Sequence, residues 1–155
     1  MAKEIERKYL VKDGRFREIA SAKKHIVQGY LSTSPDSTVR IRTIDDSHGF
    51  ITVKSRNKGA TRGEWEYEIP YTDAVELLAL CPKDNIIDKS RYVVEHDGKT
   101  WEIDEFMHPC LGLIVAEIEL TDENEQFTLP DFIGQEVTSD PRYYNSNLSS
   151  NTKMD

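Results

Sequence analysis

The sequence lacks an apolar segment that approaches the roughly 18 residues needed for a membrane-spanning helix. Charged residues such as Lys3 and Glu4 lie where a signal peptide would have its apolar core. Repeats of solenoid period, low-complexity segments and interdomain linkers are also missing. We therefore expect residues 1–155 to form one soluble, cytoplasmic domain without a membrane partner, in which residues 146–155 are a frayed tail.

Cysteine and basic residues are scarce. Cys81 and Cys110 lack the spacing of a metal site, and two isolated cysteines are more compatible with free thiols in a reducing compartment than with a structural disulfide. The 20 Lys and Arg residues are outnumbered by 28 Asp and Glu residues, which gives a formal net charge of -8. A duplex nucleic acid is therefore not an expected partner, since proteins that bind phosphate backbones usually present a basic face.

The N-terminal segment, residues 3–11, alternates between charged and apolar residues. Because side chains alternate between the two faces of a β-strand, Glu4, Glu6 and Lys8 share one face and apolar residues such as Ile5 share the other. A surface strand with one charged face is common, so this segment alone says little about function. Repetition of the pattern along the chain makes it informative.

Seven further segments show the same period of two, and each is predicted to be a β-strand. They lie at residues 25–32, 39–44, 50–54, 62–69, 89–94, 101–104 and 116–120. Short helices are predicted at residues 15–24, 73–80 and 121–127. In the second helix we expect Asp73 to be the N-cap residue and Pro82 to end the helix.

Each charged strand face is dominated by one sign, with carboxylates paired on four strands and cations paired on two. The simpler interpretation is an ordinary antiparallel sheet with one solvated face. However, the opposite faces are continuously apolar and need cover that the short helices could supply. These features favour a mainly β, α+β fold: a closed eight-stranded antiparallel β-barrel, or tunnel, with a charged lumen and flanking short helices.

Strand alternation also predicts which charged side chains face the lumen. The acids are Glu4, Glu6, Glu64, Glu66, Glu68, Glu102, Asp104, Glu117 and Glu119, and the bases are Lys8, Arg40, Arg42, Lys54, Arg62, Lys89 and Arg91. Because an unpaired buried charge is costly, these groups must either pair with one another or surround a polyvalent ligand. Carboxylates suit hard divalent cations such as Mg²⁺, whereas arginine and lysine suit phosphate oxygens, so we expect a metal ion and a phosphate compound in the lumen.

Eight short motifs follow one another along the predicted strands. They are E-x-E-x-K at 4–8, Q-G-Y-L at 28–31, R-I-R at 40–42, T-V-K at 52–54, E-W-E at 64–66, K-S-R-Y at 89–92, E-I-D at 102–104 and E-I-E at 117–119. This ordered set resembles the CYTH superfamily, also called triphosphate tunnel metalloenzymes, over nearly the whole chain. The resemblance implies an eight-stranded antiparallel tunnel that binds triphosphates and metal. Members of the family include bacterial inorganic triphosphatases, thiamine triphosphatases, class IV adenylyl cyclases and RNA triphosphatases.

The resemblance also implies roles for individual side chains. The triphosphate would be bound by Lys8, Arg40, Arg42, Lys54, Arg62, Lys89 and Arg91. The metal, Mg²⁺ or Mn²⁺, would be held by Glu4, Glu6, Asp104, Glu117 and Glu119, with Glu64, Glu66 and Glu102 assisting, and a metal-activated water would attack a terminal phosphorus. Tyr30 and Lys54 resemble a tyrosine–lysine pair that acts as general base or acid in related triphosphatases. The alternative for them is a hydrogen-bonded wall residue and a phosphate contact.

The function predicted from this resemblance is hydrolysis of inorganic triphosphate to diphosphate and phosphate, as in the short bacterial members. An adenylyl cyclase, a thiamine triphosphatase, a nucleoside triphosphatase and a non-catalytic polyphosphate binder stay open as alternatives. The expected partner is a small polyanion, and a homodimer stays open. Residues 140–145, D-P-R-Y-Y-N, resemble the D-x-R-Y-x-N segment of the short bacterial members, where a terminal helix lies near a tunnel mouth.

Overall fold

Nine β-strands and two short helices form the part of the chain described by a computed structural model, residues 3–148. The strands are β1 (Lys3–Val11), β2 (Ala22–Ser34), β3 (Ser37–Ile44), β4 (His48–Ser55), β5 (Thr61–Ile69), β6 (Ile87–His96), β7 (Lys99–His108), β8 (Ile114–Glu119) and β9 (Ile133–Glu136). The helices are α1 (Phe16–Ile19) and α2 (Tyr71–Leu78), and single 3₁₀ turns lie at Lys83–Asn85, Pro141–Tyr143 and Asn145–Asn147. Within residues 3–148, no helix is long and apolar enough to cross a membrane.

The strands close into a barrel through β1. All pairs are antiparallel, and the order around the ring is β5-β4-β3-β2-β6-β7-β8-β1. Residues 6–10 of β1 pair with β8, whereas residues 3–5 of the same strand pair with residues 61–63 of β5. The predicted closed eight-stranded antiparallel barrel is therefore confirmed. The ninth strand, β9, was not predicted because four residues are too few to show a period of two; it pairs with the C-terminal part of β1.

The helices differ from the predictions in length and number. The helix predicted at residues 15–24 was too long, because β2 already begins at Ala22 and pairs there with β6. The helix predicted at 73–80 is confirmed as α2, but Pro70 is its N-cap residue, so the N-cap assignment of Asp73 was wrong. The helix predicted at 121–127 was also wrong: these residues form turns in which the Glu125 carboxylate accepts hydrogen bonds from both the backbone N–H and the hydroxyl of Thr121.

The apolar strand faces point outward and are covered by short segments rather than by long helices. Phe16 of α1 packs edge-on against Tyr92 of β6, with 5.2 Å between ring centroids. Phe127, in the loop before β9, packs against Trp101 of β7 at 5.9 Å. Phe16 and Trp101 are fully buried. Because apolar contacts cover the outer face here, the charged faces of these strands are turned toward the lumen.

Helix α2 covers a different part of the barrel. Ala74 is fully buried where α2 lies over β4, and a Cβ atom added to Gly49 would lie 2.6 Å from the Ala74 Cβ. Glycine at position 49 is therefore required for this close approach.

The C-terminal segment ends against the barrel. Leu148 is almost fully buried and packs with Tyr30, Ile87, Phe106 and Val115 in an apolar cluster. The last three of these lie near the start of β6, the end of β7 and the start of β8, so the cluster fills one end of the lumen. Residues 149–155 of the predicted frayed tail lie outside the described residues. The organisation of the chain as one domain stays a prediction.

Candidate functional site

The barrel encloses a cavity of about 270 Å³. All predicted site residues line it apart from Asp104. Its walls are formed by Glu4, Glu6, Lys8, Lys24, Tyr30, Thr38, Arg40, Arg42, Ile44, Lys54, Arg62, Glu64, Glu66, Lys89, Arg91, Glu102, Glu117, Glu119, Tyr144, Asn145 and Ser146. Side chains from all eight strands of the ring therefore meet in one space.

The two signs of charge are separated across this cavity. Four adjacent strands, β4, β3, β2 and β6, form what we call the cationic side and carry Lys54, Arg40, Arg42, Lys89 and Arg91. The other four, β7, β8, β1 and β5, form the acidic side and carry Glu102, Glu117, Glu119, Glu4, Glu6, Glu64 and Glu66. Lys8 and Arg62 are cations on the acidic side. A ligand in this cavity would lie between a row of cations and a row of carboxylates.

Carboxylates on the acidic side face one another across the strand ladders. Glu6 of β1 is opposite Glu119 of β8, and Glu117 of β8 is opposite Glu102 of β7. Like charges at directly opposed positions destabilise a sheet. Burial, together with the nearby Glu117 and Glu4 carboxylates, raises the pKa of Glu6 to about 8. Burial and the Glu4 and Glu102 carboxylates also raise the pKa of Glu119. The acidic side is thus chemically suited to a bound cation.

The carboxylates are not already arranged around a metal position. The Glu4 carboxylate accepts a hydrogen bond from Lys54 Nζ at 3.0 Å and lies 3.4 Å from Arg62 Nε. In the described range 3–148, no group of three or more His, Cys, Asp or Glu side chains is placed to hold a metal ion. A hard divalent cation therefore fits the oxygen chemistry of this side, but Glu4 would have to exchange its lysine partner for the metal.

Asp104 lies behind the cavity wall and is paired with two cations. Its Oδ1 accepts from Arg91 Nε at 2.8 Å, and its Oδ2 accepts from Lys89 Nζ at 2.7 Å and Arg91 Nη2 at 2.9 Å. The residue is 1% exposed. Although burial would raise it, Arg91 and Lys89 hold the pKa of Asp104 well below its usual range. The geometry makes Asp104 the counter-ion of the cationic side, rather than a group that faces the lumen.

The cationic side carries more positive charge than its neighbours neutralise. Burial lowers the pKa of Lys89 to about 7, with Arg91 and Arg42 opposing the favourable charge of Asp104. Burial, then Arg40 and Arg91, lower the pKa of Arg42 to about 9. The Nε of Arg40 is buried and has no hydrogen-bond partner among residues 3–148. A bound polyanion would relieve this repulsion and supply the missing acceptor.

The two predicted proton-transfer residues have separate partners. Lys54 Nζ contacts Glu4 and lies 3.4 Å from Glu64, whereas the Tyr30 hydroxyl accepts a hydrogen bond from Gln28 Nε2 at 3.3 Å. Gln28 is fully buried and was not among the predicted site residues. Its place in the same strand face as Tyr30 was visible in the sequence, but an uncharged residue did not stand out in a pattern built on charge.

The C-terminal segment supplies further wall residues that the sequence did not assign to the site. Lys8 Nζ donates to the carbonyl oxygen of Tyr143 at 3.0 Å and lies 5.9 Å from the centroid of the Tyr144 ring. Asn145 Oδ1 accepts from Lys89 Nζ at 2.8 Å. The D-x-R-Y-x-N resemblance indicated that this segment lies near the tunnel. However, it implied a helix near the tunnel mouth and not the contacts with Lys8 and Lys89.

Strand alternation also missed some lumen residues and, besides Asp104, assigned one further residue, Glu68, that does not line the cavity. Lys24 lines the cavity from β2, and it was missed because a helix was expected there. Thr38 and Ile44 share the lumen face of β3 with its two arginines and could have been found by the same alternation. Glu68 is outside the cavity wall: its side chain is 62% exposed, near the end of β5, and lies 3.1 Å from His48.

Comparison with known proteins identifies the family. The CYTH domain model matches residues 2–153 of the sequence. The chain belongs to the CYTH domain family. An inorganic triphosphatase from Acetivibrio thermocellus is 46% identical over 151 residues, which cover 97% of this chain and 96% of the relative. An inorganic triphosphatase from Nitrosomonas europaea is 35% identical over 153 residues, which cover 94% of this chain and 96% of the relative.

A solved structure shares the architecture of this CYTH domain. The crystal structure of an inorganic triphosphatase matches it with a TM-score of 0.66 and 32% sequence identity, over 95% of this chain and 97% of that chain. The family resemblance carried by the eight strand motifs is thus confirmed.

Proposed function

We propose that this protein hydrolyses inorganic triphosphate to diphosphate and phosphate inside the barrel, with the help of a divalent cation. The observation that carries the proposal is the separation of charge across one cavity, with cations on four adjacent strands and carboxylates on the other four. Cationic side chains suit the oxygens of a polyphosphate chain, and carboxylates suit the divalent metal that neutralises that chain. Two relatives that each span nearly the whole chain bear the name inorganic triphosphatase.

The cationic side would hold the phosphate chain. Arg40, Arg42, Lys89 and Arg91 are the proposed main contacts, and Lys8, Lys54 and Arg62 would contribute from the rest of the wall. Arginine suits this role since its planar fork can donate two parallel hydrogen bonds to phosphate oxygens. In the transition state negative charge is spread over the oxygens of the transferred phosphoryl group, so fixed cations at these positions would also favour the reaction.

The acidic side would hold Mg²⁺ or Mn²⁺. Glu4, Glu6, Glu117 and Glu119 are the proposed ligands, and Glu64, Glu66 and Glu102 would assist from adjacent positions. The bound cation would supply Lewis-acid polarisation of the phosphoryl oxygens and neutralise the opposing carboxylates. We revise the role of Asp104, because both of its oxygens already accept hydrogen bonds from Arg91 and Lys89. It would position these two cations instead of binding metal.

The size and lining of the cavity favour a bare triphosphate over a nucleotide or thiamine triphosphate. Its volume of about 270 Å³ lies below the roughly 300–1,000 Å³ typical of pockets for drug-sized organic ligands. Charged side chains dominate the wall, and one end of the lumen is filled by the apolar cluster around Leu148. An adenylyl cyclase, a thiamine triphosphatase and a nucleoside triphosphatase would each need room for an organic group beside the phosphates.

Phosphate release from inorganic triphosphate, thiamine triphosphate and ATP, with a parallel cyclic AMP assay on ATP, tests this function. We expect kcat/KM for inorganic triphosphate to exceed the other two values by at least about tenfold, because only that substrate places its whole length between the two charged sides. Activity should require added Mg²⁺ or Mn²⁺ and stop in excess EDTA. Cyclic AMP formation, or undiminished turnover in EDTA, would show that the proposal is wrong.

Tyr30 and Lys54 are the proposed proton-transfer groups. If the Tyr30 hydroxyl transfers a proton, Tyr30→Phe should lower kcat by about 100-fold with little change in the affinity for triphosphate. Tyr67→Phe removes a hydroxyl from the exposed outer face of β5 and serves as the matched control. Steady-state kinetics of both variants decide the question. A Tyr30→Phe enzyme within a few fold of wild type would make Tyr30 a wall residue.

The cytoplasmic location and the homodimer stay predictions of the sequence.

A further inference from the structure

Two amide side chains, the buried Gln28 and the half-buried Asn145, connect the cationic side to the C-terminal segment. The Gln28 Oε1 atom accepts a hydrogen bond from Arg42 Nε at 2.9 Å. Its Nε2 atom donates to the Tyr30 hydroxyl oxygen at 3.3 Å and to Asn145 Oδ1 at 3.2 Å. Asn145 Oδ1 also accepts from Lys89 Nζ at 2.8 Å. The chain of contacts therefore runs from one proposed phosphate-binding cation, Arg42, to another, Lys89.

The direction of each hydrogen bond in this chain is set by the cations at its two ends. Arginine and lysine can only donate, so the amide atoms that face them must be oxygens. With its oxygen turned to Arg42, Gln28 presents its NH₂ group to Tyr30 and Asn145. Neither amide can flip without placing an NH₂ group against a cation and leaving a buried donor unpaired. The arrangement is consequently held in one orientation.

This orientation affects a third group, the Tyr30 hydroxyl. Its oxygen accepts from Gln28, so its own proton points away from that amide. Tyr30 lines the cavity and is paired with Arg40 across the β2–β3 ladder. Both phosphate-binding cations and the candidate proton donor are thus oriented by the same pair of amides.

We propose that Gln28 and Asn145 form an amide relay through which the C-terminal segment positions Arg42, Lys89 and the Tyr30 hydroxyl for the triphosphate. The two amides are positioning residues, since they act through the side chains they hold. The proposal rests on the proposed triphosphatase function. It assigns to residue 145 a role inside the barrel, although that residue lies 56 positions along the chain from the cation that it contacts, Lys89.

The test compares Gln28→Met, Asn145→Ala and the double variant with the wild-type protein. Two quantities are measured: the affinity of the metal-free protein for tripolyphosphate by calorimetry, and kcat and KM for its hydrolysis with Mg²⁺. Asn145→Ala should weaken the affinity and raise KM by about tenfold, because Lys89 loses one of the two oxygen partners that it has among residues 3–148. Gln28→Met should also lower kcat, since it releases Arg42 and Tyr30 together.

Asn147→Ala is the matched control for loosening of the C-terminal segment. Asn147 is exposed, and its Nδ2 donates to the Pro141 carbonyl oxygen within that segment. We expect this variant to keep the affinity and kcat/KM of the wild type within about twofold. Thermal unfolding of every variant shows whether a loss of binding merely follows a loss of stability.

The double variant distinguishes a relay from two independent contacts. If the two amides act as one unit, Gln28→Met should reduce the affinity for tripolyphosphate much less in the Asn145→Ala background than in the wild-type protein. Equal affinities of Asn145→Ala and Asn147→Ala, or strictly additive effects in the double variant, would overturn the relay. A wild-type protein that binds tripolyphosphate without hydrolysing it would instead contradict the proposed function, while the affinity measurements would still decide on the relay.

Discussion

Replacing Glu6 by glutamine is expected to reduce kcat/KM for inorganic triphosphate by at least about 100-fold. Loss of a side chain that only orients a metal ligand typically costs 10–100-fold, so loss of a ligand should lie at or above the upper end of that range. The barrel should stay folded, because Glu6 faces Glu119 across the β1–β8 ladder and removal of one of two opposed carboxylates relieves repulsion. Kinetics over a range of Mg²⁺ concentrations, together with thermal unfolding of the metal-free protein, provide the measurement.

Glu68→Gln is the matched control for this prediction. Glu68 has the same strand alternation as the lumen acids Glu64 and Glu66, but its side chain is 62% exposed and contacts His48 outside the cavity wall. This variant should keep wild-type activity and the wild-type requirement for metal. Similar kinetics for the variants at positions 6 and 68 would show that the acidic side does not take part in catalysis.

The second large effect is expected for Asp104→Asn and concerns stability. Removal of one partner from a buried ion pair typically costs about 3–5 kcal/mol, because the other charge is left unpaired in the interior. Here Arg91 would be left with the partly exposed Glu102 as its remaining ion-pair partner within the described part of the chain. Lys89 can lose its proton and so avoid an unpaired charge. We therefore expect the free energy of unfolding to fall by about 3 kcal/mol, the lower end of this range. In a domain of this size, that corresponds to a fall in Tm of roughly 6–12 °C.

The control for this variant is Glu102→Gln. Glu102 has the same strand face as Asp104 and lies 3.3 Å from Arg91 Nη1, but its side chain is 40% exposed, so its removal should change the free energy of unfolding by less than about 1 kcal/mol. If Asp104 were instead a metal ligand, Asp104→Asn would leave the stability of the metal-free protein near the wild-type value. It would then raise only the Mg²⁺ concentration needed for activity.

The barrel could be predicted because one simple property, side-chain alternation, is fixed by strand geometry. Charges at Glu4, Glu6 and Lys8, with charged faces on six further predicted strands, determined the lumen face without any knowledge of strand pairing. The weak periodicity at residues 15–24 gave no comparable constraint. There the ladder between β2 and β6, a long-range contact, decided that Ala22 and Lys24 are in a strand.

Finer features of the site depend on depth within the wall and on the register of neighbouring strands. Alternation put Asp104 and Glu102 on the same face, but it could not show that Asp104 is opposite Arg91 and covered by it and Lys89. Nor could it show that Asn145, from beyond the last barrel strand, reaches Lys89. Such contacts link residues far apart in the chain and leave no periodic signal in the sequence.

A crystal structure of the protein with tripolyphosphate and Mn²⁺ tests the charge-separation account most directly, because the anomalous signal of manganese locates the metal independently of the phosphates. The account predicts phosphate oxygens in contact with Arg40, Arg42, Lys89 and Arg91, and manganese on the opposite side of the cavity against carboxylates of β1 and β8. Phosphates bound outside the barrel, or manganese held by Asp104 beside Lys89 and Arg91, would contradict it.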